Sequence, residues 1–380
     1  MEAERKARAA ALRSRRPNQL TETVERFVTR GLSVWNGLQT GSRGLSANIG
    51  GLAVGSQIAV GPEYVLKLGN YYKPRLIWDS YTVGAGDMSF RMQTGVELPR
   101  MMNGRTFFSI DAYRYEYTRL LYFGPGGDSQ QSGISDYSMR ESGFEMRGGV
   151  MLRRRLRAGF TGNFRAVAVG PGTDPGLRPS DAVYSIASAR GIDRQTDFLA
   201  GGFFLEFDGR DQAGDPHKGA YLSTRFQNVN GSRRALGGFN QYNFEGQVYA
   251  PFWNRRRVVA FRAKAALTTP HNNTFVPFYL EPSLGGGDDL RGFSSFRFHD
   301  QNSVVATAEY RWTVIPVIDM ALFADAGKVY PDADQLTFDR FMSDIGFGVR
   351  ARAGSTVPFR FDIGFSREGA QFWLVLANIF

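Results

Sequence analysis

The chain has 380 residues, 45 of them glycine, with 31 phenylalanines, 16 tyrosines, 5 tryptophans and a formal net charge of +10. Charged residues make up 22% and no window holds the roughly 18 apolar residues of a spanning helix, so a polytopic helical membrane protein is excluded; the aromatic content excludes a disordered chain. With no cysteine, disulfides and Cys-ligated metal centres are impossible, and His217, His271 and His299 leave little histidine chemistry.

In chain order, residues 1–16 form a basic tail: Arg5, Lys6, Arg8, Arg13, Arg15 and Arg16 against Glu2 and Glu4. The tail has no apolar stretch of a signal peptide, so an export signal is not present in this numbering. After Pro17, the spacing of Leu20, Val24, Phe27, Val28, Leu32, Trp35 and Leu38 predicts one amphipathic helix over 18–38, with Asn18 as its N-cap. It would anchor on a membrane surface, plug a lumen, or pack on the domain that follows. We divide the chain into a tail and helix over 1–41 and a barrel over 42–380.

From residue 42 onward the period is two. Tyr242, Phe244, Gly246, Val248 and Ala250 alternate with polar neighbours. So do Val259, Phe261, Ala263, Ala265 and Leu267, and then Val304, Ala306, Ala308, Tyr310 and Trp312. Ile345, Phe347, Val349 and Ala351 face away from Asp344, Arg350 and Arg352; Phe359, Phe361, Ile363 and Phe365 face away from Arg360, Asp362 and Ser366. Alternation alone also fits a soluble sandwich. The number of amphipathic segments of about ten residues, with terminal aromatics, predicts an all-β, 16-stranded antiparallel transmembrane β-barrel, apolar towards lipid and polar towards the lumen. The strands fall near 44–52, 57–67, 75–84, 87–98, 106–123, 138–151, 156–168, 196–207, 220–229, 239–250, 257–267, 303–313, 318–328, 342–352, 358–366 and 371–380. Segment 106–123 changes its apolar register midway.

Connections alternate short and long; 124–137, 169–195 and 268–302 are the long ones. Even parity puts both chain ends on the short-turn, periplasmic rim. Arginines in short turns, such as Arg153–Arg155, would meet anionic headgroups or merely solubilise the turns. A nucleic-acid partner is not expected from the basic pI of about 9.8, because the aromatics alternate in strands and form no RNA-binding signature. No nucleophile elbow is present, Asp208 and Asp211 belong to a turn, and the histidines read as surface polar groups. The chain is therefore not expected to be an enzyme, and no metal or cofactor is expected.

Four stretches carry more than composition: Phe207–Asp211 with Asp215–Gly219, the loop segment Gly285–Phe293, Phe323–Gly327, and the C-terminal Leu374–Phe380. In this order they resemble the C-terminal barrel of the BamA superfamily, or bacterial surface antigen family, which includes outer-membrane insertases and two-partner secretion transporters. The likeness is specific over 196–380 and architectural before that. It implies sixteen strands and a long loop between strands eleven and twelve that folds into the lumen. The loop tip would be Leu290, Arg291, Gly292 and Phe293, with the arginine paired to acids on the next two strands. Those positions are Glu309 and, in the Phe323, Asp325, Gly327 motif, Asp325. Leu374, Leu376 and Phe380 would be the terminal assembly signal. Ala377 and Asn378 depart from the family ending, and about forty residues precede the first strand where the insertases carry periplasmic modules.

The alternation, taken alone, also puts Glu309 and Asp325 on the polar face, where two neighbouring carboxylates need a cation and a guanidinium serves best. The resemblance implies a barrel assisting assembly or passage of proteins or lipids at the bacterial outer membrane. Its partners would be outer-membrane lipid and protein partners or clients in the periplasm or outer membrane. The alternatives are a passive pore and a structural or docking barrel of a larger assembly.

Overall fold

In the computed structural model of the chain, the described residues are 26, 28–30, 44–52, 58–70, 73–232, 238–252, 256–353 and 356–376. Sixteen strands make one sheet in which every sequence neighbour pairs antiparallel. They are β1 (Leu45–Gly51), β2 (Ile58–Asn70), β3 (Lys73–Gly84), β4 (Phe90–Met101), β5 (Thr106–Tyr122), β6 (Ser135–Arg153), β7 (Leu156–Pro171) and β8 (Asp197–Asp208). There follow β9 (Gly219–Gly231), β10 (Gly238–Phe252), β11 (Arg257–Pro270), β12 (Asn302–Ile315), β13 (Ile318–Tyr330), β14 (Met342–Ala353), β15 (Thr356–Ser366) and β16 (Gly369–Leu376). The sheet curls into a nearly closed barrel, and no described helix is long and apolar enough to cross a membrane.

The burial pattern is inverted relative to a soluble sandwich. On β13, Leu322 is 52% exposed while Asp319, Phe323 and Asp325 are buried; on β15, Phe361 and Phe365 are exposed while Arg360 and Asp362 are buried. Charged groups leave water for the inside only where ion pairs satisfy them, and the apolar residues turned outwards make sense only against lipid. The barrel therefore has a lipid-facing skin and a polar, paired interior.

Strands β5, β6 and β7 run 17, 19 and 16 residues. That exceeds the nine to eleven a tilted strand needs to cross a bilayer. β5 ends one residue sooner than the alternation predicts, whereas β6 and β7 are longer because their ladders continue past the bilayer, pairing Tyr122 with Ser135 and Tyr137 with Pro171. The connection over 124–137 thereby shrinks to 123–134. The register change in 106–123 is a bulge: β5 and β6 slip between Tyr117 and Leu120, which moves the apolar residues to the other face.

The 268–302 segment is not plain loop. Ser283–Leu284 pairs with Phe298–His299 in a small ribbon, and the loop buries Leu290, Phe293 and Phe298 against Val305, Val329 and Met342. A second apolar cluster joins Tyr122, Tyr137, Phe198 and Phe239 to Val276, Phe278 and Tyr279 of the same loop. Residues 26 and 28–30, inside the expected helix 18–38, are helical; the rest of that stretch, and Phe380, lie outside the described residues.

Candidate functional site

The tightest convergence of charge lies where the loop tip meets β12–β15. Arg291 is 2% exposed. Its guanidinium forks onto Asp325, Nε donating to Oδ2 at 2.8 Å and Nη2 to Oδ1 at 3.0 Å, while Nη1 donates to Glu309 at 2.9 Å and Asp362 at 3.3 Å. Its face lies over the Phe323 ring, 3.4 Å from the centroid. Planar, delocalised and weakly hydrated, a guanidinium can meet carboxylates at its edge and an aromatic face at once; an ammonium cannot.

Strand register explains why these groups meet. Glu309 of β12 pairs directly with Phe323 of β13, so Asp325 is Glu309's diagonal neighbour on the same face. Phe323 and Asp362 sit opposite Gly346 and Gly348 of β14, respectively. A Cβ on Gly346 would lie 2.3 Å from the Phe323 ring, and one on Gly348 only 1.8 Å from Asp362 Oδ1. The bare stretch of β14 lets side chains from both neighbours lean across it towards Arg291.

Two further glycines seat the tip. A Cβ on Gly292 would meet Asp344 Cβ at 2.5 Å, and one on Gly364 of β15 would come within 2.4 Å of the Arg291 carbonyl. The tip backbone thus lies directly on the wall. Ser366 Oγ donates to Gly292 O at 2.6 Å and Trp373 Nε1 of β16 to Arg291 O at 2.6 Å. Leu290 and Phe293 are fully buried on either side, and the space a Cβ would need at Gly327 is taken by Leu284 at 2.9 Å.

Two of the carboxylates serve more than one cation. Glu309 also accepts from Arg311 at 2.6 Å and Arg350 at 2.9 Å; Asp362 also accepts from Arg350 at 3.2 Å and lies 3.1 Å from Arg360. Arg360 in turn donates to the Gly287 carbonyl and to Asp288 in the loop. Sequence reasoning did not single out Arg311, Arg350, Arg360 or Asp362 as partners of the tip, nor Trp373. The signal was in the alternation, which puts all four charged residues opposite their strands' apolar faces. Which of them the tip reaches depends on barrel curvature, not on spacing.

A second buried arginine ties three connections together. Arg297 Nε donates to Glu368 at 2.9 Å, its Nη atoms reach Ser129, and it lies over Phe123 and Phe298. His299, expected at the surface, is 3% exposed and packs edge-on against Tyr122, because the ribbon folds it under the loop. Burial pushes its pKa down to about 4. Nearby, burial and then the Asp300 carboxylate push Glu281 up to about 8. His217 and His271 stand in a turn and a loop. Asp211 Oδ1 accepts the backbone N–H groups of Gln212, His217 and Lys218, so its work is turn-building. Leu374 is 53% exposed on the outer face of β16. What the arrangement can do is fasten or release a loop.

A family model described as the Omp85 superfamily domain matches residues 79–371. Among curated proteins no sequence matches the chain. Among solved structures, BamA from Haemophilus ducreyi lacking POTRA domains 1–3 is similar with a TM-score of 0.63 and 13% identity, over 88% of this chain and 70% of that one. CdiB from Escherichia coli is similar with a TM-score of 0.54 and 14% identity, over 88% of this chain; the chain spans 60% of its length.

Proposed function

The chain belongs to the Omp85 superfamily, and from that premise we propose that it is a non-catalytic barrel of the bacterial outer membrane that assists insertion or passage of polypeptides. The observation that carries this reading is the seam. Among the described residues, β1 pairs only with β2 and β16 only with β15, with no ladder joining β1 to β16. An unpaired strand edge is a template for another strand, and in lipid every unpaired backbone group is costly. An incoming amphipathic strand would satisfy that edge by β-augmentation, its backbone supplying affinity without sequence preference.

The loop latch supports the same reading. Its tip is fastened to β12–β15 and, through Trp373, to β16 itself, so loop order and the seam are coupled by contact. A passive pore has no use for that connection.

Photocrosslinkers placed separately at Leu374 in β16 and at Leu322 in β13, both about half exposed, distinguish the two strands. In proteoliposomes supplied with an unfolded outer-membrane barrel substrate, Leu374 is expected to capture substrate and Leu322 is not. Equal capture at both positions, or none at Leu374, would count against the seam.

A further inference from the structure

Away from the seam, the outer face of β5–β8 carries a groove that the loop latch and the seam leave unused. Gly148 on β6 and Ala158 on β7 are diagonal outward neighbours; the Phe160 and Phe108 rings lie over Gly148 and, with Phe203, wall the space beside Ala158. The result is an apolar trough of about 700 Å³. Met102 lines its end at the short-turn rim. It is 78% exposed and holds φ at 47°, followed by Asn103 at 59° and Gly104 at 81°. Left-handed backbone at a methionine is strained, and here the strained turn holds the side chain at the mouth of the trough.

Above that mouth stand Arg100, Arg105, Arg153, Arg154 and Arg155, all exposed. Backbone bonds hold their turns together: Met151 N donates to Arg105 O at 2.8 Å and Asp208 N to Arg155 O at 2.9 Å. Among the described residues none of the five arginines has an ion pair. The nearby acids are engaged elsewhere, Asp208 with Arg210 and Glu206 with Arg147 and Arg157. Unneutralised arginines at the headgroup level and an apolar trough directly below them match the two ends of one amphiphile. A guanidinium cluster favours a phosphodiester, and basic residues at a membrane surface gain from anionic lipid.

We propose that this face binds one anionic glycerophospholipid, its phosphate held by the arginine turns and an acyl chain laid in the Gly148–Ala158 trough. The site lies four strands from β1 and does not depend on the transport reading. The test is native mass spectrometry of the full chain in detergent, with phosphatidylglycerol or phosphatidylcholine of identical acyl chains. Wild-type protein should retain phosphatidylglycerol at least tenfold better. Replacing Arg153, Arg154 and Arg155 by Gln should weaken phosphatidylglycerol binding about 100-fold and abolish the preference. Ala158→Phe, which fills the trough from the lipid side, should weaken both lipids while keeping their order. Heat-modifiable migration of each variant verifies that the barrel is folded. Equal retention of the two lipids by wild-type protein would overturn the proposal. So would a preference that survives the triple substitution, or unchanged binding in Ala158→Phe.

Discussion

Arg291 meets three carboxylates, but they do not depend on it equally. Glu309 keeps Arg311 and Arg350 when Arg291 is removed, and Asp362 keeps Arg350 and Arg360; Asp325 has no other ion pair among the described residues. Removing one partner of a buried pair typically costs about 3–5 kcal/mol, mostly through the charge left behind. At 3% side-chain exposure for Arg291 and 0% for Asp325, solvent screening offers little relief. Arg291→Met should therefore destabilise loop seating by about 3 kcal/mol. Adding Asp325→Asn should restore a substantial part of the loss, because the orphaned charge goes with it. Arg291→Lys should rescue only partly, since an ammonium cannot fork onto Asp325 and reach Glu309 together. Limited proteolysis of the loop reads all three. Additive losses in the double variant would show that Asp325 is not the group Arg291 neutralises.

At the scale of one element, the loop over 271–301 is held by apolar contacts and by titratable groups of opposite habit. Glu281 and Asp300 have carboxyls raised to about 8 and about 6, each chiefly by burial. A carboxyl raised on folding binds its proton more tightly in the folded state. Its contribution is thus present below its unfolded pKa and is lost as pH rises through the folded value. His299 acts the other way: its pKa is depressed to about 4, so its neutral form supports the loop near neutrality and that support fades between about pH 6.5 and 4. Glu281→Gln removes the alkaline loss alone. The variant's loop should be more protected from hydrogen exchange than wild type at pH 8–9, by on the order of 3 kcal/mol, and little different at pH 5. Equal protection of the two proteins at pH 9 would mean that Glu281 is not held protonated by its surroundings.

For the whole molecule, stability comes from ladders that run unbroken from β1 to β16 and from interior ion pairs that tie the loop to the wall. Both resist detergent better than heat. The purified protein should migrate as a compact, β-rich species when unheated and as an extended chain after boiling, with circular dichroism dominated by strand. A helix-dominated spectrum or recovery without detergent would be incompatible with the barrel. Because the seam is the one junction without a ladder among the described residues, hydrogen exchange should proceed faster in β1 and β16 than in β10–β13. The loop latch, which reaches β16 through Trp373, should slow that exchange; the Arg291→Met variant should raise it in β16 and leave β5 unchanged.

The period-two pattern, by itself, determined the sixteen strands, their order and which residues face lipid. Those features are local: side chains alternate along a strand regardless of what the strand curls around. It also placed Glu309, Asp325, Arg350, Arg360 and Asp362 on one face, and the family resemblance pointed to Arg291 as the tip. Strand ends on the long-loop rim were misjudged, since pairing there continues past the bilayer and no apolar signal marks where a ladder stops. Only the tertiary structure decided that Asp362 would join Glu309 and Asp325 around Arg291, that Gly346 and Gly348 would clear the way for Phe323 and Asp362, and that His299 would be buried. Each of these depends on how far the sheet curls and how closely the loop lies on it. Curvature is a property of all sixteen strands together and is written at no single position.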